Sequence, residues 1–573
     1  MHLPGFRRCG LLAKIEILLL LPAVSLAPAF SSAKAQSRET SPGSSIHAVS
    51  SGEFPDAAQL KPQGRIFTPE SFGAIGDGKL HPLSERFSTL GEARKEFPNV
   101  RDLKITIDGA AFQQAVDKAS EARGEVLAEK SYVITSPIVM KDNVIVDGNN
   151  KGLVRNDRSR GGALNFAFLF GDHAPYGFNK EGNHGAGYDY YDVKEPMRIG
   201  QSSLTLKNPG DASVFKPGQL VFVTSAFRRN MNLSKVMLPY HVTMARIEKI
   251  EAARLFFEYP FDENVEAVQI CANGNFDSHL GINFGGVQNV VLRNMTIDAS
   301  QITGSQYAYK CHIDNIRLID GVRLVGMNAM AHSTFTNITG NFSWRCMEIK
   351  TGSHDLLVRN IRGTYKPIDG FPHVVDAISV GQYNRNVTVD GFEIDFGTGV
   401  PRIATINFHS RKATIANGTI LCRNLTEPFV RFYNERYVDD PNFGCYENSL
   451  KNVKFLGGPG MKTVFELGSG SSPNEGKRKD NWVTQKKLAK GKHKSQASEE
   501  EMEDLYDAPK TADVPPSANT IENCLFDGGA RSASAKFQSG HGNVITNCEF
   551  TGARMKASRT FLSNNTVRAN KFR

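Results

Sequence analysis

Leu292-Arg293-Asn294-Met295, Ile313-Asp314-Asn315-Ile316, Phe335-Thr336-Asn337-Ile338 and Val358-Arg359-Asn360-Ile361 repeat one phrase: an apolar residue, any residue, Asn, then an apolar residue. It continues at Val389-Asp390-Gly391-Phe392, Ile415-Ala416-Asn417-Gly418, Leu450-Lys451-Asn452-Val453, Ile521-Glu522-Asn523-Cys524 and Ile545-Thr546-Asn547-Cys548, with a degraded copy at Asn570. The intervals are 21, 22, 23, 31, 26, 35, 71, 24 and 23 residues. A constant minimum with irregular excess marks a solenoid whose coils share one length and accept spliced loops. Apolar residues flanking the Asn mark short strands that fill a core, and the Asn makes the corner. Asn tolerates left-handed backbone, and its amide can bond the amides of the coils above and below. Each coil carries a second strand about ten residues earlier, as in Met347-Glu348-Ile349, Ile378-Ser379-Val380, Ile406-Asn407-Phe408 and Ala535-Lys536-Phe537. The pattern predicts an all-β chain: a right-handed parallel β-helix with three short strands per coil.

Composition limits the function classes. The formal charge is +9 over 573 residues, and the leader carries Arg7, Arg8, Lys14 and Lys34 against Glu16, so the mature chain retains +6. Basic residues do not cluster with aromatics, so nucleic acid is not an expected partner, whereas a mildly basic groove suits an acidic polysaccharide. Arg7-Arg8, an apolar run from Ile17 to Phe30 and Ala33-Lys34-Ala35 read as a secretory signal over 1–35, cleaved before Gln36, placing the protein outside the cell or in a periplasm. No other stretch is apolar enough to span a membrane. Seven cysteines remain, of which Cys524 and Cys548 stack on adjacent coils. Either a disulfide or a buried reduced pair fits that spacing.

In chain order, 36–62 reads as a disordered linker and 63–573 as the β-helix. Ile107-Asp108-Gly109-Ala110-Ala111-Phe112-Gln113-Gln114-Ala115-Val116 is an amphipathic helix that caps the first coil. A Gly-, His- and Tyr-rich loop spans 171–195, alternating β over 196–268 predicts a small inserted β subdomain, and 468–518 lacks core formers and reads as a disordered loop.

Phe72-Gly73-Ala74-Ile75-Gly76-Asp77-Gly78, then the helix with its Asp108, Ala111, Gln113 and Ala115, then a Gly-led strand and Tyr132-Val133-Ile134, resembles the start of the pectate-lyase-like (pectin lyase fold) superfamily. With the Asn ladder, the resemblance covers most of residues 66 to 573. Lys79-Leu80-His81-Pro82 and Ala128-Glu129-Lys130-Ser131 depart from its usual pattern. The superfamily includes polysaccharide lyases, polygalacturonases and phage tailspikes, so the resemblance implies fold more than chemistry. Polygalacturonases carry a G-H-G, but Gly540-His541-Gly542 lies in the wrong turn of its coil and reads as a turn; the Asp439-Asp440 pair falls in a loop.

The resemblance implies a cleft along the strand before the Asn corner. If Ile349, Ile378, Ile406 and Phe432 point inward, Glu348, Lys350, Ser379, Asn407, His409, Arg431 and Tyr433 face outward. The neighbouring coil adds Asp369, His373 and Asp376. Glu348, Lys350, Asp376, His409 and Arg431 are the candidate catalytic residues, with Asp369, His373, Asn407 and Tyr433 as candidate substrate ligands. A lyase acting on a uronate polymer needs cations or Ca²⁺ to neutralise the substrate carboxylate, and a base for the C5 proton. Ca²⁺ is the one cofactor this chemistry admits. A polygalacturonase-like hydrolase would use Glu348 with Asp376 or Asp369 as a carboxylate pair. The basic, His-bearing face favours β-elimination; a non-catalytic glycan-binding or structural β-helix is the remaining alternative.

Overall fold

The structure, a computed structural model, describes residues 54–157, 166–170, 172–173, 190–225, 242–266, 268–271, 284–305, 308–350, 352–368, 376–381, 384–399, 405–426, 428–432, 445–468, 516–529 and 533–573. The leader, most of the 171–195 loop, Asp439-Asp440 and residues 469–515 lie outside these.

The repeated phrase stacks in register. Leu292 pairs with Ile313, and the column continues through Phe335, Val358, Val389, Ile415, Leu450, Ile521 and Ile545 to Val567, always between parallel strands. From Leu292 to Ile545 these side chains are buried. The chain is therefore a parallel β-helix, as the periodicity predicts. Aromatic stacking continues the core toward the C-terminus: Phe455, Phe526, Phe550 and Phe572 lie nearly parallel with centroids 5.0, 4.9 and 4.8 Å apart, the spacing of the strands that carry them.

The corner residues have left-handed backbone throughout, with φ between 50° and 56° at Asn294, Asn315, Asn337, Asn360, Asn417, Asn452, Asn523 and Asn547, and 70° at Gly391. The amides bond between coils, as in Asn315 Nδ2 to Asn294 Oδ1 at 2.8 Å and Asn360 Nδ2 to Asn337 Oδ1 at 3.0 Å. The degraded last copy shifts by one: Ala569 takes the left-handed corner, while Asn570 Oδ1 accepts the Cys548 N–H.

A second left-handed corner precedes each Asn by five residues, at Asn289, Lys310, His332, Asp355, Asn386, Lys412, Glu447, Ala518 and Gly542. Its residue types vary, so no repeat betrays it. Gly542 of the G-H-G is one of these corners and His541 is exposed, which agrees with the turn reading. Behind this corner runs a buried amide ladder. Asn519 Oδ1 accepts the Asn448 N–H and Nδ2, both at 3.0 Å, and Asn543 Oδ1 does the same for Asn519 at 3.0 and 2.9 Å.

The helix Ile107–Ala122 covers the first coil with Phe112, Ala115, Val116 and Ala119. Its polar residues explain the N-terminal motif. Asp108 accepts the N–H groups of Ile75, Gly76 and Val133, tying the glycine loop to the first strand, and Gln113 pairs with both backbone groups of Val139. Residues 54–62 include a 3₁₀ turn, Ala57–Gln59, and Arg293 Nη1 donates to the carbonyls of Ala57 and Leu60 at 2.7 and 2.8 Å. Cys524 and Cys548 are buried free thiols on in-register coils. Parallel side chains one coil apart keep their Cβ atoms near the strand spacing of about 4.8 Å, wider than the roughly 3.8 Å a disulfide favours. Among the described residues, no helix is long and apolar enough to cross a membrane.

A separate six-stranded antiparallel sheet is built from residues 190–271 around its own apolar cluster, which includes Leu204, Val223, Ile247, Leu255 and Ile270. Its segment Glu258 to Glu263 runs along the second corner column. Lys310 Nζ meets Glu258 at 2.5 Å, Tyr259 stacks on His332 at 4.2 Å, Asn386 donates to Asp262 at 2.7 Å and Arg411 meets Glu263 at 3.1 Å. Buried Arg385 holds both oxygens of Asp262, at 3.0 and 2.8 Å. The variable corners thus form the seat of the second sheet.

The two ladders predict unequal costs. Asn519→Ala strips several buried hydrogen bonds and should destabilise the protein by about 3 kcal/mol or more, whereas Asn360→Gly keeps the left-handed corner accessible and should cost about 1 kcal/mol or less. Chemical denaturation of both variants against the parent checks this.

Candidate functional site

Strands Asp376–Val380, Ile406–Phe408, Val430–Phe432 and Thr463–Leu467 stack on the end of the long strand Met330–Lys350. Met347, Ile349, Ile378, Val380, Ile406, Phe408, Val430 and Phe432 point into the core. The pleat sends the alternate residues to the other face, where Glu348, Ser379, Asn407, Arg431 and Glu466 form one in-register column.

Of the sequence-derived candidates, Glu348, Lys350, Asp376, Asn407, His409 and Arg431 come together here. Asp369, His373 and Tyr433 lie outside the described residues. The grouping follows the expected pleat, but the face is less open than an outward strand face suggests. Glu348, Asp376 and Asn407 are only 3%, 1% and 1% exposed. Buried charge of this density is costly unless paired.

Residues the sequence reading did not select supply that pairing. Glu348 is held by Arg323, with Nε 2.6 Å from Oε2, and by Arg345 and Lys350 on its other oxygen. Arg345 also reaches Asp376, Nε to Oδ1 at 3.2 Å, so one guanidinium spans two carboxyl groups. Arg431 Nε meets Glu466 at 3.1 Å. The ring of Trp344 supports both arginines, with the Arg323 and Arg345 guanidinium carbons 4.2 and 5.0 Å from its centroid. Arg323 lies on the preceding coil and Arg345 three residues before Glu348 on its own strand, and Arg323, Arg345 and Asp376 are register partners. Only coil-to-coil register brings Arg323 to Glu348, since the two lie 25 residues apart in the chain.

Two glycines make room for the polar groups. A Cβ on Gly381 would lie 1.7 Å from His409 Nε2, so the imidazole packs directly on the Gly381 backbone. A Cβ on Gly326, the register partner of Glu348, would lie 2.8 Å from Gln301 Oε1, so the Gln301 amide packs on the Gly326 backbone.

Burial raises the Asp376 carboxyl above the ordinary carboxylate range, opposed by Arg345, Lys350, the Asn407 hydrogen bond and His409. Burial and neighbouring Arg345 lower Arg323 from the usual guanidinium value. Glu348 has three cations around it, from Arg323, Arg345 and Lys350. The residues fit calcium poorly, because that ion takes about six to eight oxygen ligands and the carboxylates described here are already engaged by Arg323, Arg345, Lys350, Asn407 and Arg431.

His332, His354 and Asp355 offer ligand atoms within 4.8 Å of one another at the seat of the second sheet. Chemistry argues against a metal there. The Met244 N–H donates to His354 Nε2 at 2.9 Å, which puts the His354 proton on Nδ1, 2.6 Å from Asp355 Oδ2. Both ring nitrogens are thereby used in docking.

A parallel β-helix with a buried, mixed-charge strand face defines the class of protein. Neither the family models nor the curated proteins provide a match for the sequence. Solved structures similar to the chain include a tailspike protein from Pseudomonas phage LKA1, at 13% identity and TM-score 0.42, covering 89% of this chain and 78% of that one. The family 28 exopolygalacturonase of Yersinia enterocolitica gives 10% and 0.37, covering 89% and 78%. The mannuronan C-5 epimerase A-module of Azotobacter vinelandii gives 11% and 0.37, covering 88% and 99%.

Two measurements check the electrostatics. Glu348→Gln leaves Arg323, Arg345 and Lys350 without their shared anion and should destabilise the fold by roughly 3–5 kcal/mol, read from denaturant unfolding. Asp376 keeps its proton to a higher pH in the native than in the unfolded chain, so the native state binds more protons in that interval. Its contribution to stability therefore falls as pH rises from the ordinary carboxylate value to the raised one. Thermal midpoints taken across pH should show that descent, and Asp376→Asn should flatten it.

Proposed function

We propose that the chain is a glycan-acting enzyme that cleaves a uronate-containing polysaccharide by β-elimination at the face holding Glu348, Lys350, Asp376, His409 and Arg431. The observation that supports this most is the charge balance. Arg323, Arg345, Lys350 and Arg431 outnumber Glu348, Asp376 and Glu466, and burial favours the neutral form of Asp376. A rigid cationic face attracts an acidic polymer and can offset its carboxylate charge, which acidifies the adjacent C5–H.

In this reading Lys350 or His409 takes the C5 proton. The electron pair forms the C4–C5 double bond and the C4–O bond breaks, leaving an oxygen that Asp376, held toward its neutral form, is placed to protonate. The arginines do the neutralising, so turnover should persist with a chelator present. Secretion or periplasmic export, expected from the leader, would bring the enzyme to such a polymer.

One observation favours a second reading. Glu348 is ringed by three cations while burial raises Asp376, and two carboxyls in such unlike surroundings serve glycoside hydrolysis.

Ultraviolet absorbance, recorded while the protein meets a panel of uronate polymers with and without Ca²⁺, separates the readings. Elimination gives a rising signal from the unsaturated product, and Lys350→Met or His409→Ala should reduce the rate about 100-fold or more. Gly381→Ala should reproduce the His409 defect by displacing the imidazole. Reducing ends without absorbance would transfer the assignment to the Glu348–Asp376 pair, and neither signal would leave a binding or structural β-helix.

A further inference from the structure

The candidate face changes chemical character along the helix axis. Around Glu348 it is built of cations: Arg323, Arg345 and Lys350. Two coils further, beside Arg431, it presents an amide acceptor. Asn407 is register partner to Ser379, itself partner to Glu348, so the two positions lie about 10 Å apart, two strand spacings. Asn407 Nδ2 donates to Asp376 Oδ2 at 3.1 Å, which fixes its amide and turns Oδ1 the other way. That oxygen is buried, on a residue 1% exposed, and accepts no hydrogen bond among the described residues. A buried acceptor without a donor is costly, and such atoms recur where a ligand completes the pairing. Buried Gln301 Nε2, beside Gly326, has no acceptor among the described residues either.

A polymer carrying a carboxylate on every sugar would set one of them against Asn407 Oδ1, acceptor against acceptor. A neutral residue bearing a hydroxyl or acylamino N–H would supply the missing donor.

We infer, building on the glycan-acting assignment above, that the face selects a mixed polymer: an anionic sugar at Arg323, Arg345 and Lys350, and a neutral, donor-bearing sugar at Asn407. The cations fix the charged unit and the unpaired Asn407 oxygen reads its neighbour, so the selected repeat alternates in charge. A homopolymeric uronate satisfies the first contact and violates the second.

The test is calorimetric binding to the full chain of three probes: a homo-oligogalacturonate, a hyaluronan octasaccharide in which glucuronate alternates with N-acetylglucosamine, and neutral chitin hexamer. The alternating probe should bind at least tenfold tighter than the other two. Asn407→Asp and Asn407→Leu should each weaken it about tenfold, removing its advantage over oligogalacturonate, and Lys350→Gln should weaken both anionic probes. Circular dichroism and thermal midpoints verify that the variants fold. Tighter binding of the homopolymer, or indifference of the alternating probe to both Asn407 variants, would overturn the mixed-polymer inference and leave the acidic-glycan assignment standing. Failure of both anionic probes to bind, with Lys350→Gln matching the parent, would overturn the two together.

Discussion

Everything in this chain depends on holding a left-handed backbone conformation at a fixed point of every coil. An L-residue resists that conformation, and Asn accepts it at lower cost while its amide bonds to the coil above and below. The corner fixes where each strand begins, and register then follows from burial, since a one-residue slip would turn the core side chains outward. Leu292 through Val567 stay in one column because every coil between Asn294 and Ala569 turns at the same place. Loops of any length can then be spliced between corners without disturbing the stack.

The same geometry yields two functional columns from one solenoid. Left-handed corners at Lys310, His332, Asp355, Asn386 and Lys412 project side chains toward the second sheet, and the segment from Glu258 to Glu263 meets them coil by coil. On the strands that precede these corners, one face carries Glu348, Asp376, Asn407 and Arg431. His409 belongs to the second column and Arg411, two residues on, to the first, so the docked sheet borders the candidate site. Both columns bury charge, and both balance it with partners from different coils. A solenoid offers such balance readily, since each strand position recurs about 4.8 Å away on the next coil. Trp344 and the two glycines adjust the fit: the ring backs Arg323 and Arg345, while Gly326 and Gly381 leave space for Gln301 and His409.

The sequence by itself determined the coil, because the Asn corner and its apolar flanks must recur wherever the backbone turns left-handed and the core is filled. It also determined which side of each strand Glu348, Asn407 and Arg431 occupy, since alternation across a pleat follows from the inward position of Ile349, Ile406 and Phe432. The helix over Ile107–Ala122 and the role of Gly540-His541-Gly542 as a turn were legible for the same local reason. Tertiary structure alone decided the second corner, whose residues range from Lys and His to Ala and Gly and share only a φ near 50–65°. It alone decided that Arg323, Arg345 and Glu466 join the candidate face, that Arg345 bridges Glu348 and Asp376, and that the carboxyl groups of the face are buried rather than solvated. The physical reason is common to all three. Periodicity records what each coil needs for its own core, whereas charge pairing, desolvation and docking are settled between coils, by residues that meet only after the chain has gone round.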